Sequence, residues 1–172
     1  MSPEPPALVF ASYSRKDAVL VRQLLRLIGD EQSIKPGQKW RLAIDTAPEH
    51  CQIILVFWCD HAARSSEVQS EYERAISLGK RVMPVLIDHT ALPPGLGQYQ
   101  GVDLREALSE HHERFIDMLA LRHLYSHVDK PGAGWASHGG IVPDYSFMDS
   151  CVARASQRLK SSLAAEFGEY TP

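Results

Sequence analysis

Cysteine is scarce in this 172-residue chain: there are three, Cys51, Cys59 and Cys151, odd in number and without C-x-x-C spacing. Such usage argues against a disulfide framework and against secretion, and points to a reducing, cytoplasmic setting. Basic tracts are also missing, and the net charge is −3, which disfavours nucleic acid as a direct partner. No apolar run approaches the ~20 residues that cross a bilayer, so no membrane association is expected. The amino-terminal MSPEPP lacks the charged and apolar blocks of a signal peptide. The glycine fingerprint of a dinucleotide-binding turn is absent too, which speaks against hydride chemistry on a permanently bound cofactor. What is present is ordinary for a globular protein: 44% hydrophobic and 23% charged residues. A chain of this size buries roughly two-thirds of its unfolded surface, so it needs neither disulfide nor metal to fold.

Three short runs are apolar at nearly every position: ALVFAS at 7–12, QIILVFW at 52–58 and RVMPVLI at 81–87. This is the pattern of strands covered on both faces in a parallel sheet. Helical patterns lie between them. Residues 17–28 set Leu20, Leu24 and Ile28 on one stripe beside Val21 and Leu25, with Ser14 and Asp17 as a capping start. A shorter helix is expected over 38–47 after Pro36-Gly37, and another over 66–78, stopped by Gly79-Lys80. Strands alternating with helices predict right-handed βαβ units and a doubly wound α/β sheet.

From residue 88 the texture becomes turn-rich, with one short edge strand expected, then a helix from about 104 to 125. A Gly/Pro-rich loop at 129–144 precedes an amphipathic helix over about 146–167, with Phe147, Cys151, Leu159 and Leu163 as its buried positions. This divides the chain into a disordered lead at 1–6, a main domain at 7–126 and an extension at 127–172.

Ligands of open parallel sheets bind beyond the carboxyl ends of the strands. Three loops therefore matter: SYSRKD, CDHAARSSE and DHTALPPG. The first offers Ser12, Tyr13, Ser14, Arg15 and Lys16 at a helix start, where free N–H groups and two cations suit a phosphate or pyrophosphate. The bland alternative is that Arg15 and Lys16 solvate a turn.

FASYSRKD at 10–17, IKPGQKW at 34–40, and the Ser65 to Glu71 segment followed by RAISLGKRVMPVLI resemble the bacterial TIR (Toll/interleukin-1 receptor) domain family. The resemblance covers roughly residues 7–125. It implies a flavodoxin-like fold and, in many bacterial and plant members, cleavage of NAD⁺ at the nicotinamide–ribose bond. Other members act only as self-associating adaptors. The family's catalytic glutamate stands eight residues before a Gly-Lys pair, and Glu71 stands eight before Gly79. Ser65 matches a serine the family often carries. On the same resemblance Ser12, Tyr13, Arg15, Lys16, Trp40, Ser65 and Glu67 are substrate-side residues. Trp40 either lines the nicotinamide pocket or packs as core, and Tyr13 and Phe10 are open in the same way. Ile34, Lys35, Pro36 and Gly37 correspond to the BB loop, which controls the cleft and joins neighbouring copies. Implied partners are NAD⁺ as substrate, further copies of the chain in an oligomer or filament, and a sensor or effector protein of an anti-phage defence system.

Glu67 and Glu71, four apart, share a helix face, whereas Glu73 points away and reads as a solvated charge. A place in the first helical turn would keep Glu71 anionic near neutral pH. Two features depart from the family pattern. The second strand, which normally precedes the BB loop and ends in an acidic residue, is not evident: either it is lost, which would leave Val9 and Phe10 on an open edge, or a stretch is omitted between Gly29 and Asp30, the reading the edge favours. Glu67 replaces a frequent tryptophan, and Cys59 a serine; a second carboxylate beside Glu71 could raise its pKa or coordinate a cation. No metal site is expected: His123 and His127 have the spacing for two ligands but lack an acidic third, and His111-His112 cannot share a face. Cys59, Asp60 and His61 could suggest a thiol nucleophile, but neighbours at a strand end point apart. A phosphorelay receiver is disfavoured because no paired acids end the first strand.

Overall fold

Both faces of Ile53–Trp58 are covered, and all six side chains are buried. This strand, β3, is the middle of a five-stranded parallel sheet in a computed structural model that describes residues 7–28, 40–42, 48–108 and 146–167. For Ala7, Trp40–Leu42, 146–148 and 167 only the backbone is described. The other strands are β1 (Ala7–Ser12), β2 (Trp40–Leu42), β4 (Arg81–Leu86) and β5 (Val102–Asp103), in the order β2-β1-β3-β4-β5. That is the flavodoxin-like order, whose switch point lies between β1 and β3. The helices are α1 (Ala18–Ile28), α2 (Asp60–Ala63), α3 (Ser66–Ser77), α4 (Pro94–Gly97) and α5 (Ser146–Phe167).

The main strands follow the expected runs closely, and α1 buries Leu20, Val21, Leu24, Leu25 and Ile28. Its start is a 3₁₀ turn at Arg15–Asp17, capped by Ser14, whose hydroxyl accepts from the Lys16 N–H. Helix α3 is capped by Ser65 Oγ, which accepts from the Val68 N–H at 3.3 Å. It ends where Gly79 takes φ +67°, a conformation in which a side chain is strained. Gly101 has a different reason: a Cβ there would stand 2.6 Å from the Pro84 carbonyl oxygen, so a side chain would push β5 off β4.

Two expectations are corrected. The helix expected over 38–47 contains a strand instead, since β2 pairs in parallel with β1, Ala7 opposite Trp40 and Val9 opposite Leu42. The unpaired edge of β1 outweighs the weak local helical pattern, because each ladder position satisfies a backbone donor or acceptor. The seemingly absent second strand is therefore this one, ten or so residues later than its expected place. Consequently Ile34–Gly37 precedes the second strand, whereas the BB loop of the resemblance follows it; residues 34–37 themselves lie outside the described residues. Of the helix expected from about 104 to 125 only the first residues are described, as turns in which the Ala107 and Leu108 N–H groups both donate to the Leu104 carbonyl. Residues 109–125 lie outside the described residues.

The carboxyl-terminal helix has a larger part than an appendage. Cys151, Val152, Ala155, Leu159 and Leu163 are buried in the same core as β1, β3 and β4. Ser156 Oγ donates to the Leu24 carbonyl of α1 at 3.3 Å, and Arg158 donates to the Asp103 carbonyl at 3.0 Å. Phe147's side chain lies outside the described residues.

Candidate active site

Val68, Tyr72 and Ala75 form the buried stripe of α3. Glu71 lies three residues after Val68 and four before Ala75, so helical geometry turns it toward the sheet rather than toward water. There its Oε2 accepts a 2.5 Å hydrogen bond from Ser12 Oγ at the carboxyl end of β1. Ser12 is only 1% exposed, and its backbone is fixed by the β1–β3 ladder opposite Val56. Two elements far apart in sequence thus meet at one carboxylate.

Burial pushes the Glu71 carboxyl above its usual range; the Ser12 hydrogen bond opposes this, and the Glu67 charge adds to the rise. The reason given from sequence for an anionic Glu71 does not hold, because Glu71 is the sixth residue of α3 and the first-turn acid is Glu67. The hydroxyl of Ser12, not the helix dipole, favours the ionised form. The expected effect of a second carboxylate is present, with the sign anticipated.

Glu67 pairs with Arg15 at 3.5 Å, and both side chains are largely exposed. Lys16 is exposed beside Arg15, and Tyr13 packs partly buried against the core. Ser65 serves as the α3 cap. Hence Ser12, Arg15, Glu67 and Glu71 lie along the carboxyl edge of β1, at the switch point. Trp40 begins β2 at the opposite end of its pairing, beside Ala7; its side chain and residues 34–37 lie outside the described residues. Glu73 is exposed and accepts from Gln69 Nε2 at 2.8 Å, as a surface charge should. His111, His112, His123 and His127 lie outside the described residues.

A second carboxylate close by escaped the sequence reading. Asp17 is fully buried; Cys59 Sγ donates to its Oδ2 at 2.9 Å, and His61 Nδ1 stands 2.9 Å from its Oδ1. Cys59 and His61 therefore converge instead of pointing apart, because the chain turns into α2 at Cys59, and the short helix brings His61 back toward Asp17. Burial and the Asp17 charge push the Cys59 thiol far up, so it is the neutral donor of this cluster and a poor nucleophile. The aspartate's position three residues after Ser14, read only as part of a cap, was the available signal.

Neighbouring contacts hold this edge rigid. Trp58 stacks edge-on against Tyr72, ring centres 6.2 Å apart, and donates Nε1–H to the Ala91 carbonyl at 3.0 Å. Asp88 accepts from the Asp60 N–H at 3.0 Å, tying the loop after β4 to the start of α2. A cavity of about 280 Å³ lies elsewhere, lined by Ile53, Lys80, Arg81 and Tyr99 among others. It opens at the amino ends of β3 and β4, the end that open parallel sheets do not use for ligands.

A family model described as TIR domain matches residues 9–120. The chain belongs to the TIR domain family. No curated protein matches it. Membership supports a signalling or NAD⁺-cleaving role in general terms, and TIR domains commonly self-associate through TIR–TIR contacts. Among the described residues, no helix of this TIR domain is long and apolar enough to cross a membrane.

Proposed function

We propose that this TIR domain cleaves NAD⁺ at the nicotinamide–ribose bond, yielding nicotinamide and either ADP-ribose or a cyclic isomer. The observation that carries the reading is Glu71: a partly buried carboxylate at the carboxyl edge of the sheet, one helical turn from the Glu67–Arg15 pair. Cationic nicotinamide departs as a neutral base and needs no proton. Positive charge then develops on the ribose, as in other glycosidic cleavages. Glu71 accepts hydrogen bonds from the ribose hydroxyls and stabilises that charge; a water, or a nitrogen of the adenine, then forms the new bond at the anomeric carbon. Arg15 and Lys16 face the pyrophosphate, Arg15 exchanging Glu67 for a phosphate oxygen. We place the activity in a bacterial anti-phage defence system of the cytoplasm, switched on by assembly into an oligomer or filament and by a sensor or effector protein.

The test is to incubate concentrated protein with NAD⁺, follow nicotinamide release, and identify the second product by mass spectrometry. Silence under conditions in which the chain is assembled would overturn the reading. It would favour instead a non-catalytic adaptor acting through TIR–TIR contacts. One observation leans toward that second reading: Glu67, where the family often carries tryptophan, already occupies Arg15.

A further inference from the structure

We propose that Ser12 is a positioning residue for Glu71: its hydroxyl ties down Oε2, so that Oε1 alone is presented to the ribose. The inference rests on the NAD⁺-cleaving reading, and it removes Ser12 from the residues that touch substrate. Three observations carry it. At 1% exposure the Ser12 hydroxyl lies beneath the surface, out of reach of a ligand in the cleft. Its Oγ donates to Oε2 at 2.5 Å, while Oε1 has no hydrogen-bond partner among the described residues. And the two ends of the contact are anchored in β1 and α3, so the carboxylate is clamped between the sheet and its own helix.

A free glutamate has three rotatable bonds and samples many rotamers; one fixed oxygen removes most of that freedom and sets the direction of the other. The same bond stabilises the anion against the two influences that oppose it, burial and the Glu67 charge. Other charged groups stand on or beside the elements packed against α3: Arg15, Lys16 and Asp17 after β1, Asp60 and His61 on α2, and Arg64 just after it. Glu49 and His50 precede β3, and Arg81 opens β4. Among these charges and those of α3 itself, the Glu67 carboxylate, on the same helix face, is the one that adds to the rise of Glu71.

The experiment is a carboxyl-carbon NMR titration of Glu71 in the full chain, its signal assigned by its loss in Glu71→Gln, compared across Ser12→Ala, Ser12→Cys and Ser12→Thr. Loss of the hydroxyl in Ser12→Ala raises the midpoint by about one pH unit. Ser12→Cys, a weak donor of similar size, gives a smaller rise, and Ser12→Thr restores the original value. In nicotinamide release, Ser12→Ala lowers kcat about tenfold with KM little changed, as expected for lost positioning. If Ser12→Ala does not fold, the near-isosteric Ser12→Cys carries the same comparison. An unmoved midpoint in the folded variants overturns the proposal, and so does a raised KM with intact kcat, which would mark Ser12 as a substrate ligand. Failure of the cleavage reading is separable: a wild-type chain that releases no nicotinamide sinks that reading, while the titration still reports whether Ser12 holds Glu71.

Discussion

Two carboxylates near the carboxyl ends of β1 and β3 are treated in opposite ways. Asp17 is wholly buried, and each of its oxygens faces a side chain, Cys59 on one side and His61 on the other. Glu71 is only partly buried and is held by one oxygen. A carboxylate satisfied on both oxygens in a closed site is a joint: it locks the β1–α1 connection to the start of α2. One satisfied on a single oxygen, at an edge where ligands of this fold bind, retains capacity for something else. The difference separates an acid closed in by its partners from one with an oxygen still open, without reference to their sequence neighbourhoods.

Substitutions should therefore affect the two acids differently. The largest expected effect is on turnover: Glu71→Gln lowers nicotinamide release at least ~100-fold, with cooperative unfolding and the near-ultraviolet spectrum retained. Full turnover in that variant would remove Glu71 from the chemistry. For the other acid the damage is to stability. Asp17→Ala strands a buried thiol and a partly buried imidazole without their acceptor and costs about 3–5 kcal/mol in chemical denaturation. A denaturation midpoint close to wild type would show that the cluster is no joint.

The core offers a third test, since the carboxyl-terminal helix is packed like the rest of it. Leu159→Ala on α5, where the side chain is fully buried, costs roughly 2–4 kcal/mol. A near-neutral result would return that helix to the status of an appendage.

Smaller effects sharpen the contrast through pH. Because burial raises the Glu71 carboxyl, the folded state holds its proton more tightly than the unfolded chain does. The protonated form thus contributes stability at low pH, a contribution lost as pH rises through the folded value. Glu71→Gln, which cannot ionise, should raise the melting temperature at neutral pH and bring less gain near pH 4; a gain that grows with acidity would contradict this. Asp103 behaves in the reverse sense. The Arg105 guanidinium lowers its carboxyl to about 2, so its contribution is present above the ordinary value of 3.8 and is lost as pH falls toward 2. The pair is surface-exposed, so Asp103→Asn should cost only a few tenths of a kcal/mol at pH 7 in thermal melts, and nothing near pH 2.

Much of this architecture was legible beforehand. Residues 7–12, 53–58 and 81–86 are apolar almost throughout, and doubly covered strands leave few other readings for such runs. The end of α3 followed from its glycine stop, a local device; the Ser65 cap is equally local, but that serine was singled out only by the family resemblance. The strand at Trp40–Leu42 was not legible, because three residues carry too short a pattern to outweigh a nearby Pro-Gly. It exists through its pairing with β1, a contact across some thirty residues. Glu71 could be singled out by its distance from Gly79-Lys80, but its partner could not, since Ser12 lies 59 residues away.

The amino-acid sequence by itself determined the alternation of strands and helices, the α3 caps and the burial stripes, because each depends on residues a few positions apart. Only the tertiary structure decided which strand fills the edge beside β1 and which carboxylate is a joint. It also decided which hydroxyl holds Glu71. Those outcomes depend on hydrogen bonds between groups that come together only when the sheet has formed, and no periodicity along the chain encodes them.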